Sequence, residues 1–279
     1  MRVLIVANET LGGTALLEAV RERAQKGATF VICVPRGQPR HGNVIYDDAV
    51  FDAAQVRVDL ARRALRDEGI DAIGEVGDPD PYTAVMDAIA EHSPDEIILS
   101  TYPYATSGWM RRDLVERVQA ASGLPVEHIV VDLENEGLPF AVTLVVANRT
   151  AASEPLAQAL KAKASDERHL FIVIVPQEGG GGAAANAARG RLNQTVDRLR
   201  SAGLLVAGMV ADPDPYTATM NALQFFRVDD IVVSTLEETR SGWLRADLIE
   251  RLKRSAGRPV QHVLADHAAT PAEALRGAS

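Results

Sequence analysis

The chain alternates short, near-continuous runs of Val, Ile and Leu with longer stretches in which apolar residues recur at helical spacing. The apolar runs fall at residues 3–7, 29–34, 70–76, 96–100 and 126–132, and again at 142–148, 170–175, 204–210, 230–234 and 260–266. A strand with one wet face alternates apolar and polar residues. Runs without that alternation predict strands buried on both faces, as in a parallel sheet covered by helices. The pattern therefore predicts an α/β chain of two five-stranded layers.

The two layers are copies of one another. Asp78-Pro79-Asp80-Pro81-Tyr82-Thr83-Ala84 returns as Asp212-Pro213-Asp214-Pro215-Tyr216-Thr217-Ala218, an offset of 212 − 78 = 134. Ser107-Gly108-Trp109 and Ser241-Gly242-Trp243 keep that offset, whereas the first strands match at 143 − 3 = 140, so the second copy is shorter in between. A period this long marks a duplicated domain, not a solenoid. The expected domains are residues 1–139 and 140–279, joined by a linker at 134–139.

Turn chemistry punctuates each copy. Asp80 before Pro81, and Asp214 before Pro215, predict a helix N-cap with proline at the first helical position. Asp78 and Asp212 belong to the same turns, which accounts for these carboxylates without a metal. Ser107 and Ser241 are expected to cap the last helix, with Met110, Leu114 and Val118, or Leu244, Leu248 and Leu252, as its core stripe. Gly123 and Gly257 should end it. Residues 179–182 read as a flexible loop, because no Gly-Lys-Ser/Thr follows the glycines.

The order of these elements, with Gly77-Asp78-Pro79 after strand three, Asp95-Glu96-Ile97-Ile98-Leu99-Ser100 as strand four and Leu124-Pro125-Val126 before strand five, resembles the universal stress protein family, once per half. The resemblance implies two tandem universal-stress-type domains, each a five-stranded parallel sheet with helices on both faces. It also implies an intramolecular pseudo-dimer in which the fifth strands meet across a two-fold axis, bringing His128 and His262 towards each other, with further homodimerisation open. In the family's nucleotide-binding branch, a Gly-x2-Gly-x9-Gly-Ser/Thr loop approaches the phosphates. Here those positions hold Leu99, Tyr102, Arg112 and Asp113, and in the second copy Val233, Leu236, Ala246 and Asp247. The Asp that meets the adenosine end in that branch is Asn8 here and Asn148 in the second half. A carboxylate beside a triphosphate is repulsive, by about 1 kcal/mol even when solvated.

Composition narrows the function. Among 279 residues, 47% are hydrophobic and 24% charged, as in an ordinary soluble protein, and no apolar run is long enough to span a bilayer. A formal net charge of −9 argues against sequence-independent binding to nucleic acid or to an anionic membrane. Met1-Arg2 leads straight into a strand, so the expected location is the cytoplasm. The single cysteine, Cys33, is expected to be a buried hydrophobe and excludes an intrachain disulfide.

The candidate ligand residues are Asn8, Ser100, Thr101, Ser107, Gly108, Trp109 and Arg111 in the first copy, and Asn148, Ser234, Thr235, Ser241, Gly242, Trp243 and Arg245 in the second. Each Ser-Gly-Trp-x-Arg segment offers an aromatic wall, a positive charge and free amides at a helix start. Against this, Trp109 and Trp243 also suit packing at a domain edge, and the arginines suit solvent. Asp113 with Arg117, and Asp247 with Arg251, have the spacing of helical surface ion pairs; alternatively Asp113 closes the site as an internal phosphate mimic. His128 and His262 read as structural. No catalytic, metal-binding or cofactor-binding set stands out. The expected function is a non-catalytic stress-related regulatory or binding protein whose ATP motif has degenerated in both halves. The alternatives are an adenine-nucleotide binder, taking ATP or AMP through a non-standard loop, and an enzyme of the wider nucleotide-binding α/β (HUP) superfamily. The His-x-Gly-His and Ser-Gly-Gly-x-Asp-Ser signatures of such enzymes are absent.

Overall fold

A computed structural model describes residues 1–37, 47–103, 113–179, 181–236 and 247–265. The chain divides into two compact units, Met1–Pro139 and Phe140–Ser279. The first contains β1 (Arg2–Val6), a 3-10 turn (Glu9–Gly12), α1 (Thr14–Gln25), β2 (Thr29–Pro35), α2 (Asp47–Asp67), β3 (Ala72–Gly77), α3 (Pro81–His92), β4 (Glu96–Thr101), α4 (Leu114–Ser122), β5 (Val126–Val130) and α5 (Leu133–Glu136). The second contains β6 (Ala141–Val146), α6 (Glu154–Asp166), β7 (His169–Pro176), α7 (Gly182–Ser201), β8 (Leu205–Ala211), α8 (Pro215–Phe225), β9 (Asp230–Thr235), α9 (Leu248–Ser255) and β10 (Val260–Leu264).

Each unit is a five-stranded, all-parallel sheet. The orders are β3-β2-β1-β4-β5 and β8-β7-β6-β9-β10, the same topology twice. The central strands are buried along their length, because helices cover both faces: Val3, Leu4, Ile5 and Val6 are closed to solvent, as are Leu144, Val145 and Val146. On one face of the first sheet, Leu4, Val6, Val31, Cys33, Ile97 and Leu99 pack on Ala84, Val85 and Ala88 of α3 and on Leu114 and Val118 of α4. Cys33 lies in that core, where burial, with help from the charges of Glu75 and Asp87, pushes its thiol up to about 12. It is an inert packing residue.

The most repeated motif proves to be structural throughout. The Asp80 carboxylate accepts from the Thr83 backbone N–H at 3.0 Å and the Asp214 carboxylate from that of Thr217 at 2.9 Å, each with proline at the helix start. Asp78 and Asp212 accept from the backbone N–H groups of Asp80 and Asp214 at 2.8 and 2.9 Å. A methyl group on Gly77 would lie 2.7 Å from the Ala84 Cβ, so a small residue there lets β3 approach α3. The tyrosines complete the set: the Arg117 guanidinium lies 4.1 Å from the Tyr82 ring centroid, and Arg251 lies 4.1 Å from that of Tyr216. This corrects the ion pairs expected for Asp113–Arg117 and Asp247–Arg251. Both arginines turn away from the aspartates to ring faces, a cation–π contact that pins α4 on α3 and α9 on α8.

Other boundaries also move. β5 and β10 stop at Val130 and Leu264, short of residues 132 and 266, and residue 266 lies outside the described residues. The expected linker holds the helical turn α5, capped by Asp132, whose carboxylate accepts from the Asn135 N–H at 3.3 Å, and ended by Gly137 at φ +71°. α4 and α9 start behind Asp113 and Asp247, whose side chains make no cap bond. The expected caps Ser107 and Ser241, with Met110 and Leu244, lie outside the described residues.

Two glycines of the second unit separate packing from propensity. A Cβ on Gly208 would meet the Val173 carbonyl oxygen at 2.3 Å and the Leu192 Cδ1 at 2.8 Å, whereas Gly190, exposed on α7, has nothing within 4 Å. Gly208→Ala should therefore cost about 1–3 kcal/mol in urea denaturation. Gly190→Ala should add about 0.5–1 kcal/mol. Equal effects would show that β8 and α7 do not pack this closely.

Candidate functional site

In each sheet the chain runs to one side from β1 or β6 and to the other side from β4 or β9, so the order reverses between those two strands. Open α/β sheets bind ligands in the crevice at the carboxyl ends of the strands at such a reversal. Asn8 follows β1 there and Ser100 and Thr101 end β4; Asn148, Ser234 and Thr235 hold the same places in the second unit.

The two crevices share a hydrogen-bonded frame. Thr10, in the turn after β1, donates to the Ser100 carbonyl at 3.2 Å, and Thr150 donates to the Ser234 carbonyl at 2.9 Å. Both threonines are buried, and each ties the chain leaving the first strand to the end of the fourth. The Asn8 side-chain N–H donates to the Pro35 carbonyl at 3.1 Å, where Gly37 leaves room: a Cβ there would lie 2.7 Å from Asn8 Nδ2. Asn148 Nδ2 instead donates to Glu178 Oε1 at 3.4 Å.

What this frame leaves unused is the same in both units. Asn8 Oδ1, Asn148 Oδ1, Ser100 Oγ and Ser234 Oγ are all buried and have no hydrogen-bond partner. Burying such a group unpaired costs about 1–3 kcal/mol, so native proteins satisfy nearly all of them with protein, water or ligand. That the same two atoms are left over at equivalent places in each unit makes the crevice the candidate site.

The hydroxyls of Thr101 and Thr235, by contrast, have partners within the fold. The Thr101 hydroxyl donates to the Tyr102 carbonyl at 2.9 Å and accepts from His128 Nε2 at 2.9 Å, and Thr235 pairs with His262 Nε2 at 2.8 Å. The fifth strand is thereby tied to the fourth, and both histidines have a structural role. Ser107, Gly108, Trp109 and Arg111, with Ser241, Gly242, Trp243 and Arg245, lie outside the described residues.

The charged rim differs between the units. In the first, the Tyr102 hydroxyl donates to Glu9 Oε2 at 3.0 Å, and burial pulls the Arg57 guanidinium of α2 down, opposed by Glu9 and Tyr102. In the second, Arg149 stands in place of Glu9 and grips Glu178 with two bonds of 2.7 and 3.2 Å. These bonds hold the Glu178 carboxyl below the usual range, helped by the charges of Arg149 and Arg191. Arg191, the counterpart of Arg57, keeps Nε and Nη2 buried without a partner. Thr10, Thr150, Arg57, Arg191 and Glu178 escaped the sequence reading. Aligning the copies at their own offsets pairs the two threonines and the two arginines, and was the available signal.

No family model matches the chain, and no curated protein sequence matches it. Similar solved structures include a universal stress protein from Archaeoglobus fulgidus DSM 4304, at 16% identity over 95% of this chain and 96% of that one, with a TM-score of 0.36. Another is a universal stress protein, itself assigned only provisionally, from Pseudomonas aeruginosa UCBPP-PA14, at 15% identity over 95% and 93%, with a TM-score of 0.32. A functionally unknown protein from Pseudomonas aeruginosa PAO1 matches at 14% identity over 100% and 97%, also with a TM-score of 0.32. The fold assignment rests on the strand order and the parallel ladders.

The histidines make stability depend on acid. Burial lowers the pKa of His128, of His262, where Lys253 adds to it, and of His169, where it outweighs nearby carboxylates. A lowered folded pKa means that the unfolded chain binds protons first as pH falls. Their contribution is thus fully present above the unfolded value of about 6.5 and is lost as pH drops towards the folded values. Urea midpoints should be level from pH 8 to 7 and fall below about 6.5, and His128→Asn with His262→Asn should flatten that fall. A midpoint that rises on acidification would contradict this burial.

Proposed function

We propose that this chain is a non-catalytic, cytoplasmic regulatory or binding protein of the universal stress type, with a small polar ligand held in the crevice of each unit. The observation that carries this reading is the equivalent set of orphaned atoms, Asn8 Oδ1 with Ser100 Oγ and Asn148 Oδ1 with Ser234 Oγ. They supply acceptors and hydroxyls that suit a hydroxylated or amide-bearing ligand. No described residue joins them as a nucleophile activated by a base. Among the described residues, no helix is long and apolar enough to cross a membrane.

The phosphate-binding half of the family's ATP site is replaced. Leu99 and Val233, at the first glycine positions, are wholly buried, with Leu99 in the core against α3 and α4, so neither lines a phosphate. The four positions that would cradle a triphosphate hold no glycine in either half, and Asp113 and Asp247 bring negative charge. Mg-ATP should bind no tighter than about 100 μM by calorimetry, equivalent to about −5.5 kcal/mol. A saturable micromolar isotherm would favour the second reading, an adenine-nucleotide binder in which the free Asn oxygens accept from ribose hydroxyls.

In the second unit, the unpartnered Nε and Nη2 of Arg191 favour a ligand with an anionic group. Mass spectrometry of small molecules released from purified, denatured protein tests this directly. Wild type should release an anionic, unmodified compound, and Arg191→Gln should release at least tenfold less of it. Release of an adenine nucleotide supports the second reading, and conversion of an added metabolite would show an enzyme.

The partner surface we assign to the sheet edges. β5 and β10 each end a ladder, and each carries an exposed apolar residue at the same place, Val130 at 48% and Leu264 at 55% exposure. An apolar strand edge is a template for another edge. Light scattering should find the full chain self-associated, and Val130→Lys with Leu264→Lys should leave it monomeric. A monomeric wild type would end the assignment of these edges to a second copy and leave the intramolecular pairing of the fifth strands that the resemblance implies.

A further inference from the structure

Away from the crevices, the first unit brings three metal-ligating side chains together where β3 meets the end of α3. Glu75 projects from β3 beside Cys33, its partner in the ladder, and Glu91 and His92 close α3. One ligand atom from each of Glu75, Glu91 and His92 lies within 4.8 Å of the other two, and His92 Nε2 is 2.8 Å from Glu75 Oε2. Asp87 stands one helical turn before Glu91 on α3. Glu75 and His92 are half-buried and Asp87 and Glu91 exposed, and among the described residues no ion pair joins Glu75, Asp87 or Glu91 to a lysine or arginine.

The second unit shows what the same place becomes without ligands. Met209, Asn221, Phe225 and Phe226 stand where the first unit has Glu75, Asp87, Glu91 and His92. Every charge is gone at once. Met209, Phe225 and Phe226 are buried to 6%, 5% and 6% exposure, and the two phenylalanine rings are 6.2 Å apart. Glu75, Glu91 and His92 form one spatial group in the first unit, and their equivalents in the second are all apolar, with Asn221 in place of Asp87. A set of surface charges scattered at random would not have changed together, because each could be replaced alone at little cost.

We propose that Glu75, Glu91 and His92 form a binding site for a divalent transition metal of the zinc class. An imidazole with two carboxylates suits Zn²⁺ over Mg²⁺, which prefers oxygen ligands and keeps its waters. Tetrahedral Zn²⁺ with bonds of about 2.0–2.2 Å holds its ligand atoms about 3.4 Å apart. The present spacings, 2.8 Å between His92 Nε2 and Glu75 Oε2 and no more than 4.8 Å between any two ligand atoms, bracket that value. The ion would replace the His92–Glu75 hydrogen bond, relieve repulsion between the two glutamates and clamp the end of α3 to the edge strand, leaving one position for water.

The test uses the full chain, without a histidine tag and stripped of metal. Zinc chloride at pH 7.5 should bind with one strong site per chain at micromolar affinity or tighter by calorimetry. X-ray absorption of the one-to-one complex should show a single imidazole with oxygen ligands. Glu75→Gln and His92→Gln should each weaken that site at least tenfold. The combined Glu75→Met, Glu91→Phe, His92→Phe protein, which copies the second unit's packing, should lose the site and remain folded by circular dichroism. Absence of a strong site, or a complex with two or more imidazoles, would overturn the proposal. Both results are read on the wild-type protein, so they hold even where a variant fails to fold.

Discussion

β1 is hydrogen-bonded on both sides, to β2 and to β4, and β6 is held in the same way by β7 and β9. Everything else in each unit follows from that double parallel pairing. A strand paired on both edges and covered on both faces has to be apolar along its whole length. It also needs helices on either side to return the chain to the same end. Two returns leave β1 in one direction, and the next crosses to the other side, which opens a crevice at the carboxyl end of β1 and β4. The site is thus placed by topology before any side chain is chosen. The side chains then decide what it can hold.

Polar satisfaction, not repetition, singles out the candidate site. The Asp-Pro-Asp-Pro-Tyr-Thr-Ala segment is the best-kept stretch between the copies, yet each of its residues is accounted for by a turn, a cap, a ring beneath an arginine or a close helix–strand approach. Asn8 and Ser100 are less conspicuous in the sequence, but they keep buried atoms that the fold does not use. Selection for the fold alone would remove such atoms, since an apolar replacement of both partners is nearly neutral and an unpaired one is costly.

The sheet was legible because near-continuous apolar runs have few alternatives of that length, and helix starts were legible where Asp-Pro sets both cap and dihedral. What escaped depended on contacts distant in sequence. Arg117 at the spacing of an ion pair with Asp113 also faces Tyr82 on another helix, and a ring face competes well with a solvated carboxylate. The bond between Thr101 and His128 was not legible because its two ends lie on different strands, 27 residues apart. α5 was hidden because a four-residue turn capped by Asp132 has no periodicity to detect. The two tryptophan segments fall outside the described residues, so their part in the site stands on sequence alone.

The copies diverge where the fold is indifferent. At the rim, Glu9 faces Tyr102 in the first unit, while Arg149 and Arg191 flank Glu178 in the second. At the β3–α3 corner, four polar or charged positions of the first unit oppose an apolar set with one amide in the second. Neither change disturbs the ladders or the caps, whose bonds recur at nearly the same lengths in both units. Duplication frees one copy to change a surface while the other keeps its own, and a change that moves several neighbouring side chains together requires a shared physical cause. For the corner that cause is a charge cluster exchanged for a packed one. For the rim it is the exchange of Glu9 for Arg149, a change of sign at one position beside the crevice, so nearly interchangeable scaffolds carry different charge there.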